Sequence, residues 1–202
     1  MRGFSDEERD EIRDELVETA RRLFEVHGFQ KTTVEDVTEP VGIAESTFYR
    51  FFDTKSELYT EVLIRENEQL MDAIEGEVAT ANDPEEKLRR FLQTWAREFE
   101  ERPLLIQTHQ NPQETYLHID ESMFESAVDR FFDRFLPIME DIQAQTDGFI
   151  SNADPGTIVE VLGVIELIIA QRELYEEWGN TDYSEFQSAL QTVLVRGLLA
   201  EP

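Results

Sequence analysis

Cysteine is absent from the 202 residues, which excludes disulfides and thiolate metal sites and agrees with a reducing, cytoplasmic setting. Long apolar runs are missing too. The longest, Val161 to Ala170, is interrupted by Glu166, whereas about eighteen apolar residues are needed to cross a bilayer. Residues Met1 to Asp10 are acidic and lack the apolar centre of a secretory leader, so a soluble protein with no membrane contact is expected. Histidine is scarce. The three present show neither metal-ligand nor triad spacing, and no glycine-rich phosphate loop accompanies them. An enzyme, a metal site and a cofactor are therefore not expected, and the many carboxylates read as solvated surface.

Positive charge is the other shortage: 18 Lys/Arg stand against 45 Asp/Glu, a formal charge of −27. Such a balance argues at first against a polyanionic partner, since nucleic-acid binders usually carry a basic footprint. The deficit is uneven, however. Residues 66–202 hold nine Lys/Arg against twenty-nine Asp/Glu, while Arg21 to Lys55 hold five against six. A near-neutral island sits inside an acidic chain. Acidic surface with little lysine suits a cytoplasm of molar salt, so a halophilic protein is one reading; an ordinary acidic protein kept soluble by its charge is the other.

What is present is helix punctuation. Forty per cent of the residues are hydrophobic, fourteen of them Phe, enough for a sizeable core. Ser5-Asp6-Glu7-Glu8 is a capping box for a first helix, with Ile12, Leu16, Ala20, Leu23, Phe24 and His27 on one face and Gly28 at its end. Thr32-Thr33-Val34-Glu35 is a second capping box, Thr32 with Glu35, and opens a short helix that must stop by Gly42. A third spans Glu45 to Phe51, and Thr54-Lys55-Ser56-Glu57 opens a long one through Leu58, Val62, Leu70 and Ile74. Asp83-Pro84 starts a helix to about Glu101, Pro103 restarts a shorter one, and another runs from Glu121 towards Gln145. Asp154-Pro155 opens the most apolar helix, to about Glu177, and Asp182 the last, to about Leu199. Gln110 to Asp120 reads as irregular. The expected fold class is all-α.

Three short elements and two tight turns within residues 8–52 suggest a helix-turn-helix, with Gly42 where the turn needs a residue lacking Cβ. The runs Phe29-Gln30-Lys31-Thr32-Thr33-Val34-Glu35-Asp36-Val37 and Val41-Gly42-Ile43-Ala44-Glu45-Ser46-Thr47-Phe48-Tyr49-Arg50-Phe51-Phe52-Asp53-Thr54-Lys55-Ser56-Glu57-Leu58 resemble the signature of the TetR (tetracycline-repressor) family, over roughly residues 8–62. The resemblance implies a DNA-binding domain at residues 1–55 and a helical ligand-sensing and dimerisation domain at 56–202. It also implies a homodimer on a palindromic double-stranded DNA operator, altered by a small apolar or amphipathic effector.

By the same resemblance Glu45, Ser46, Thr47 and Arg50 face base edges or groove walls. Arg pairs bidentately with guanine, Ser and Thr meet either base type, and Glu accepts from cytosine. Thr32, Thr33, Tyr49 and Lys55 are expected on phosphates, with packing the alternative for Tyr49; Phe48, Phe51 and Phe52 are expected in the core. Three residues depart from the family pattern. Ala44 replaces a capping Ser or Thr, Glu45 a base, and Pro40 opposes the carbonyl of Asp36, so the second helix is expected to end early or bend. A dimeric small-molecule-binding module with degenerate DNA binding is the alternative function these residues keep open.

In the body, the helix from Gly156 is apolar nearly all round and must be covered on more than one side. The resemblance implies a dimer interface from it and the last helix, with Ile158, Leu162, Ile165, Ile169, Leu190 and Leu194; an internal core is the alternative. Trp95, Phe99, Leu104, Gln107, Phe124, Val128, Phe131 and Phe132 are candidate lining for an effector pocket, with plain core as the alternative. Glu166 within its apolar run could meet a cationic ligand or an Arg, or sit as a charge at the bundle edge.

Overall fold

A computed structural model of the chain describes residues 4–201. Among them every regular element is helical and no strand occurs. The elements are α1 (Asp6–Lys31), α2 (Val34–Val41), α3 (Glu45–Phe48), α4 (Lys55–Val78), α5 (Pro84–Glu100), α6 (Pro103–Gln110), α7 (Pro112–Tyr116), α8 (Glu121–Gln143), a 3-10 turn (Phe149–Asn152), α9 (Pro155–Ala170), α10 (Arg172–Trp178) and α11 (Tyr183–Leu199). No helix among the described residues is long and apolar enough to cross a membrane.

The chain forms two compact units. The first takes in the described residues up to Glu66 together with Asn111–Ala127; the second takes in Asn67–Gln110 and the chain from Val128 onward. In the first unit α1 presents Leu16, Ala20 and Phe24, all fully buried, at intervals of four. They lie in one core with Val37, Phe48, Phe52 and Leu58. The Ser5–Glu8 capping box forms in both directions. At Gly28 the backbone turns to φ 76° and ψ 166°, after which one more helical turn reaches Lys31. Only a residue without Cβ takes that φ without strain.

Four sequence expectations in this unit are corrected. Thr33, not Thr32, caps α2, and its reciprocal partner is Asp36, not Glu35. Thr32 is buried instead, with its hydroxyl donating to the Gly28 carbonyl. Pro40 does not stop α2, which runs on to Val41 before Gly42 turns left-handed at φ 76° and donates back to Thr38 and Glu39. The third helix ends at Phe48 rather than Phe51: Arg50 and Phe51 bond three residues back, to Thr47 and Phe48, and Arg13 donates to the Phe51 carbonyl at 3.0 Å. The segment read as irregular contains α7, opened by Pro112 at its first position.

In the second unit α5 begins where Asp83 accepts from Glu86 and Pro84 occupies the first turn. Its buried stripe, Leu88, Phe91, Leu92, Trp95 and Phe99, packs against α9 and α11, with α6 against both α5 and α9. Asp154 and Asp182 cap α9 and α11 as the sequence suggests. The apolar helix is not continuous to Glu177, however. It stops at Ala170, whose carbonyl accepts from the Gln110 side chain at 2.8 Å, and α10 starts after Gln171.

Candidate nucleic-acid interface and sensor core

Helices α2 and α3 join through Gly42, Ile43 and Ala44, and the burial of Phe48 and Phe52 decides which side of this motif faces outward. Glu45 and Ser46 on α3 are exposed, as are Tyr49 and Arg50 in the turn that follows; Thr47 is half-buried. Tyr49 stands edge-on to Phe48 with 56% of its surface open, so packing does not consume it. The Arg50 guanidinium lies 5.1 Å from the Phe4 ring centroid, a cation–π contact that orders a long side chain at a surface. Ala44 provides no side-chain cap for α3. Thr33 is exposed, with its hydroxyl committed to Asp36, and that bond together with the Thr33 amide holds the Asp36 carboxyl below its usual range.

Lys55 lies apart from this group. Its ammonium donates at 2.7 Å to the carbonyls of both Phe29 and Thr32, and sits 4.1 Å from the Phe29 ring centroid. Burial pulls its pKa below the ordinary lysine value against the opposing pull of Asp36. Two of its three donors thus tie down the end of α1, and Thr32 lies inside the same knot. Sequence reasoning missed this role because Phe29 lies 26 residues before Lys55. Arg13 was missed likewise: its guanidinium lies 4.4 Å from the Phe52 ring centroid and pairs with Glu61 at 3.2 Å.

Seven of the eight proposed pocket residues fall in the second unit; Phe124 belongs to the first, against Tyr116. Trp95, Phe99 and Leu104 are buried, Gln107, Phe131 and Phe132 are half-buried, and Val128 and Phe124 are exposed. Trp95 and Phe131 join a ring cluster with Phe91, Phe132 and Phe135, at centroid separations of 5.0 to 6.3 Å. Phe91 and Phe135 are fully buried at its centre and were not singled out from the sequence.

A polar knot adjoins the cluster. Trp95 Nε1 donates to Glu166 Oε1 at 2.8 Å, and His109 Nε2 lies 2.9 Å from Glu166 Oε2. Burial of His109 opposes its charging, yet the hydrogen bond and charge of Glu166 outweigh it and raise the imidazole pKa above its ordinary value. Glu166, half-buried, is thus the ion-pair partner of His109 within its own unit.

The residues assigned to a subunit interface are placed differently. Ile158, Leu162, Ile165 and Ile169 are buried at 0–3% exposure within their own unit, so they form its core; Leu190 and Leu194 are half-buried. The same two helices instead expose Leu167 and Val193, at 55% and 65%. On α11 an open depression of about 640 Å³ is lined by Ser184, Glu185, Ser188, Ala189, Thr192 and Val193.

The fold defines an all-helical protein with an N-terminal helix-turn-helix. Residues 16–62 match the model described as bacterial regulatory proteins, tetR family. Over 82 residues the chain is 30% identical to a probable acrEF/envCD operon repressor of Escherichia coli K12, a match covering 40% of this chain and 37% of that protein. The chain spans well under half the length of the curated relatives it matches.

Its fold is similar to a TetR family transcription regulator from Marinobacter aquaeolei VT8. There the TM-score is 0.70 at 21% identity, over 98% of this chain and 100% of that one. It is also similar to the transcriptional regulator FadR from Bacillus subtilis, solved in complex with stearoyl-CoA, with a TM-score of 0.65 at 15% identity, over 91% and 98%. The N-terminal segment is thus similar to that of tetR family proteins, and the fold is similar to the all-helical one of the solved regulators.

Proposed function

We propose that the chain is a transcriptional repressor that binds double-stranded DNA as a homodimer and is released by a small amphipathic effector. Residues 1–55 serve as the DNA-binding domain and residues 56–202 as the sensing and dimerisation domain. The observation that carries the reading is the outward display of Glu45, Ser46, Tyr49 and Arg50 beyond the buried pair Phe48 and Phe52, inside the segment that matches the family. Arg50 and Ser46 read base edges, Thr47 and Glu45 line the groove, and Tyr49 and Thr33 fix register on phosphates. Lys55 and Thr32 act one step back, by holding the end of α1 against α2.

Two-fold pairing sets two copies of α3 on successive grooves, so the operator is palindromic. The pairing surface is the open side of α9 and α11, around Leu167 and Val193 and the half-buried Leu190 and Leu194, since Ile158, Leu162, Ile165 and Ile169 are covered by their own core. That FadR is solved in complex with stearoyl-CoA supports an amphipathic effector, and the Phe91–Phe135 cluster supplies apolar surroundings for one in the second unit. A gel shift on the DNA upstream of the protein's own gene, in molar KCl, tests the reading. Arg50→Ala is expected to abolish sequence preference while leaving the dimer intact. A chain that ignores every duplex but still pairs and binds small molecules would replace this reading with the degenerate-DNA-binding alternative, which the uncapped Ala44 and exposed Glu45 favour.

A further inference from the structure

The His109 ring is surrounded as a cation. Nε2 faces the Glu166 carboxylate at 2.9 Å, and Nδ1 lies 3.1 Å from the Leu105 carbonyl and 3.1 Å from Thr108 Oγ1. With the Thr108 hydroxyl donating to that same carbonyl at 2.7 Å, both ring nitrogens face acceptor oxygens. Only the imidazolium, which donates from both nitrogens, satisfies such a shell. The Phe99 ring stands perpendicular to the imidazole at 5.1 Å, and Trp95 donates to the other oxygen of Glu166.

We propose that Glu166, with Trp95 and Phe99 beside it, forms a recognition site for an amphipathic organic cation, and that the His109 imidazolium is a built-in occupant which such a ligand replaces. The inference rests on the effector-responsive reading above and names the chemistry of the effector.

The asymmetry of the pair decides which partner gives way. Glu166 sits inside the sixteen-residue α9, on the turn between buried Leu162, Ile165 and Ile169, with its side chain 18% exposed. His109 is the penultimate residue of the eight-residue α6, and its side chain is 30% exposed. The histidine, the more exposed of the two and one residue from its helix end, is the partner that can swing outward, giving up its bonds to Glu166 and the Leu105 carbonyl; the carboxylate is held by Trp95 as well. A half-buried carboxylate within an apolar helix favours a cation beside it, because desolvating it unpaired is costly. An anionic head group set against Glu166 would meet like charge at close range.

The test uses the full chain with Trp178→Phe, an exposed position outside the site, so that Trp95 is the one tryptophan. Its emission is followed while benzyltrimethylammonium, benzyl alcohol or benzoate is added to this protein and to its His109→Ala derivative. Circular dichroism checks the fold, and His109→Gln stands in should the alanine protein unfold.

The expected result is a saturable response to benzyltrimethylammonium alone, stronger in the His109 variant than with His109 in place. Adding Glu166→Gln is expected to weaken it at least about tenfold. An equal response to benzyl alcohol or benzoate, binding that survives Glu166→Gln, or a folded His109 variant that ignores the cation would overturn the proposal. Duplex binding by the unmodified protein is measured separately; its failure would sink the regulator reading while leaving the cation titration to stand on its own.

Discussion

Lys55 illustrates how a residue's job is decided by what its charged end can reach. A lysine at the start of a long helix has a phosphate within its ordinary repertoire, yet this one spends two donors on the carbonyls of Phe29 and Thr32. Lys55→Met keeps much of the aliphatic stem and removes both bonds, so it should destabilise the first unit by about 2 kcal/mol, given that hydrogen bonds to charged groups contribute about 1.5–3 kcal/mol. Urea unfolding read by circular dichroism measures the loss. An unchanged midpoint, with weakened DNA binding instead, would return Lys55 to the phosphate contacts.

His109 gives a prediction in pH. Its folded pKa is raised, so its pairing with Glu166 contributes stability that is full below the ordinary imidazole value and is lost as pH rises through the folded one. Unfolding free energies of the unmodified protein and of His109→Gln should therefore differ in mildly acidic buffer and converge as the solution turns alkaline. A gap that widens with rising pH would contradict the ion pair.

At the scale of elements, the helix-turn-helix is held by its ends more than by its lengths. α3 has four residues and no side-chain cap, so Ala44→Ser should steady it by about 1 kcal/mol, the usual worth of an N-cap hydroxyl. Gly42 works the other way. Nothing lies within 4 Å of a Cβ built there, so Gly42→Ala meets no clash and its penalty is the left-handed φ of 76°, about 1–2 kcal/mol. Thermal unfolding of the two variants should move in opposite directions.

Most helix boundaries were legible because they are written in local chemistry. Asp83-Pro84, Asp154-Pro155 and Asp182 each start a helix at the expected residue. The failures also share a cause. The break at Gln171 follows a side chain from Gln110, sixty residues away, and the end of α3 follows the joint burial of Phe48 and Phe52 under α1. No pattern within a few residues announces either.

For the whole molecule the governing quantity is charge. Twenty-seven net negative charges repel one another, and the repulsion is screened as the Debye length falls to about 3 Å in 1 M salt. Thermal stability should therefore rise with KCl. Operator binding should fall only slightly, or even rise, between about 0.5 and 3 M, against the steep loss that counterion release imposes on basic DNA-binding proteins. Gel shifts across that range measure it, and a steep monotonic decline would show that ordinary phosphate electrostatics dominate.

By itself the sequence determined the helical class, most of the caps, the resemblance of the N-terminal segment to the tetR family and the acidity of the surface, since each depends on neighbours along the chain or on composition alone. Tertiary structure decided which face of α9 is covered, that Glu166 meets Trp95 and His109, and that Lys55 turns inward. Those outcomes depend on which distant side chains arrive at the same place, and an apolar stripe or a lone carboxylate carries no record of its partner.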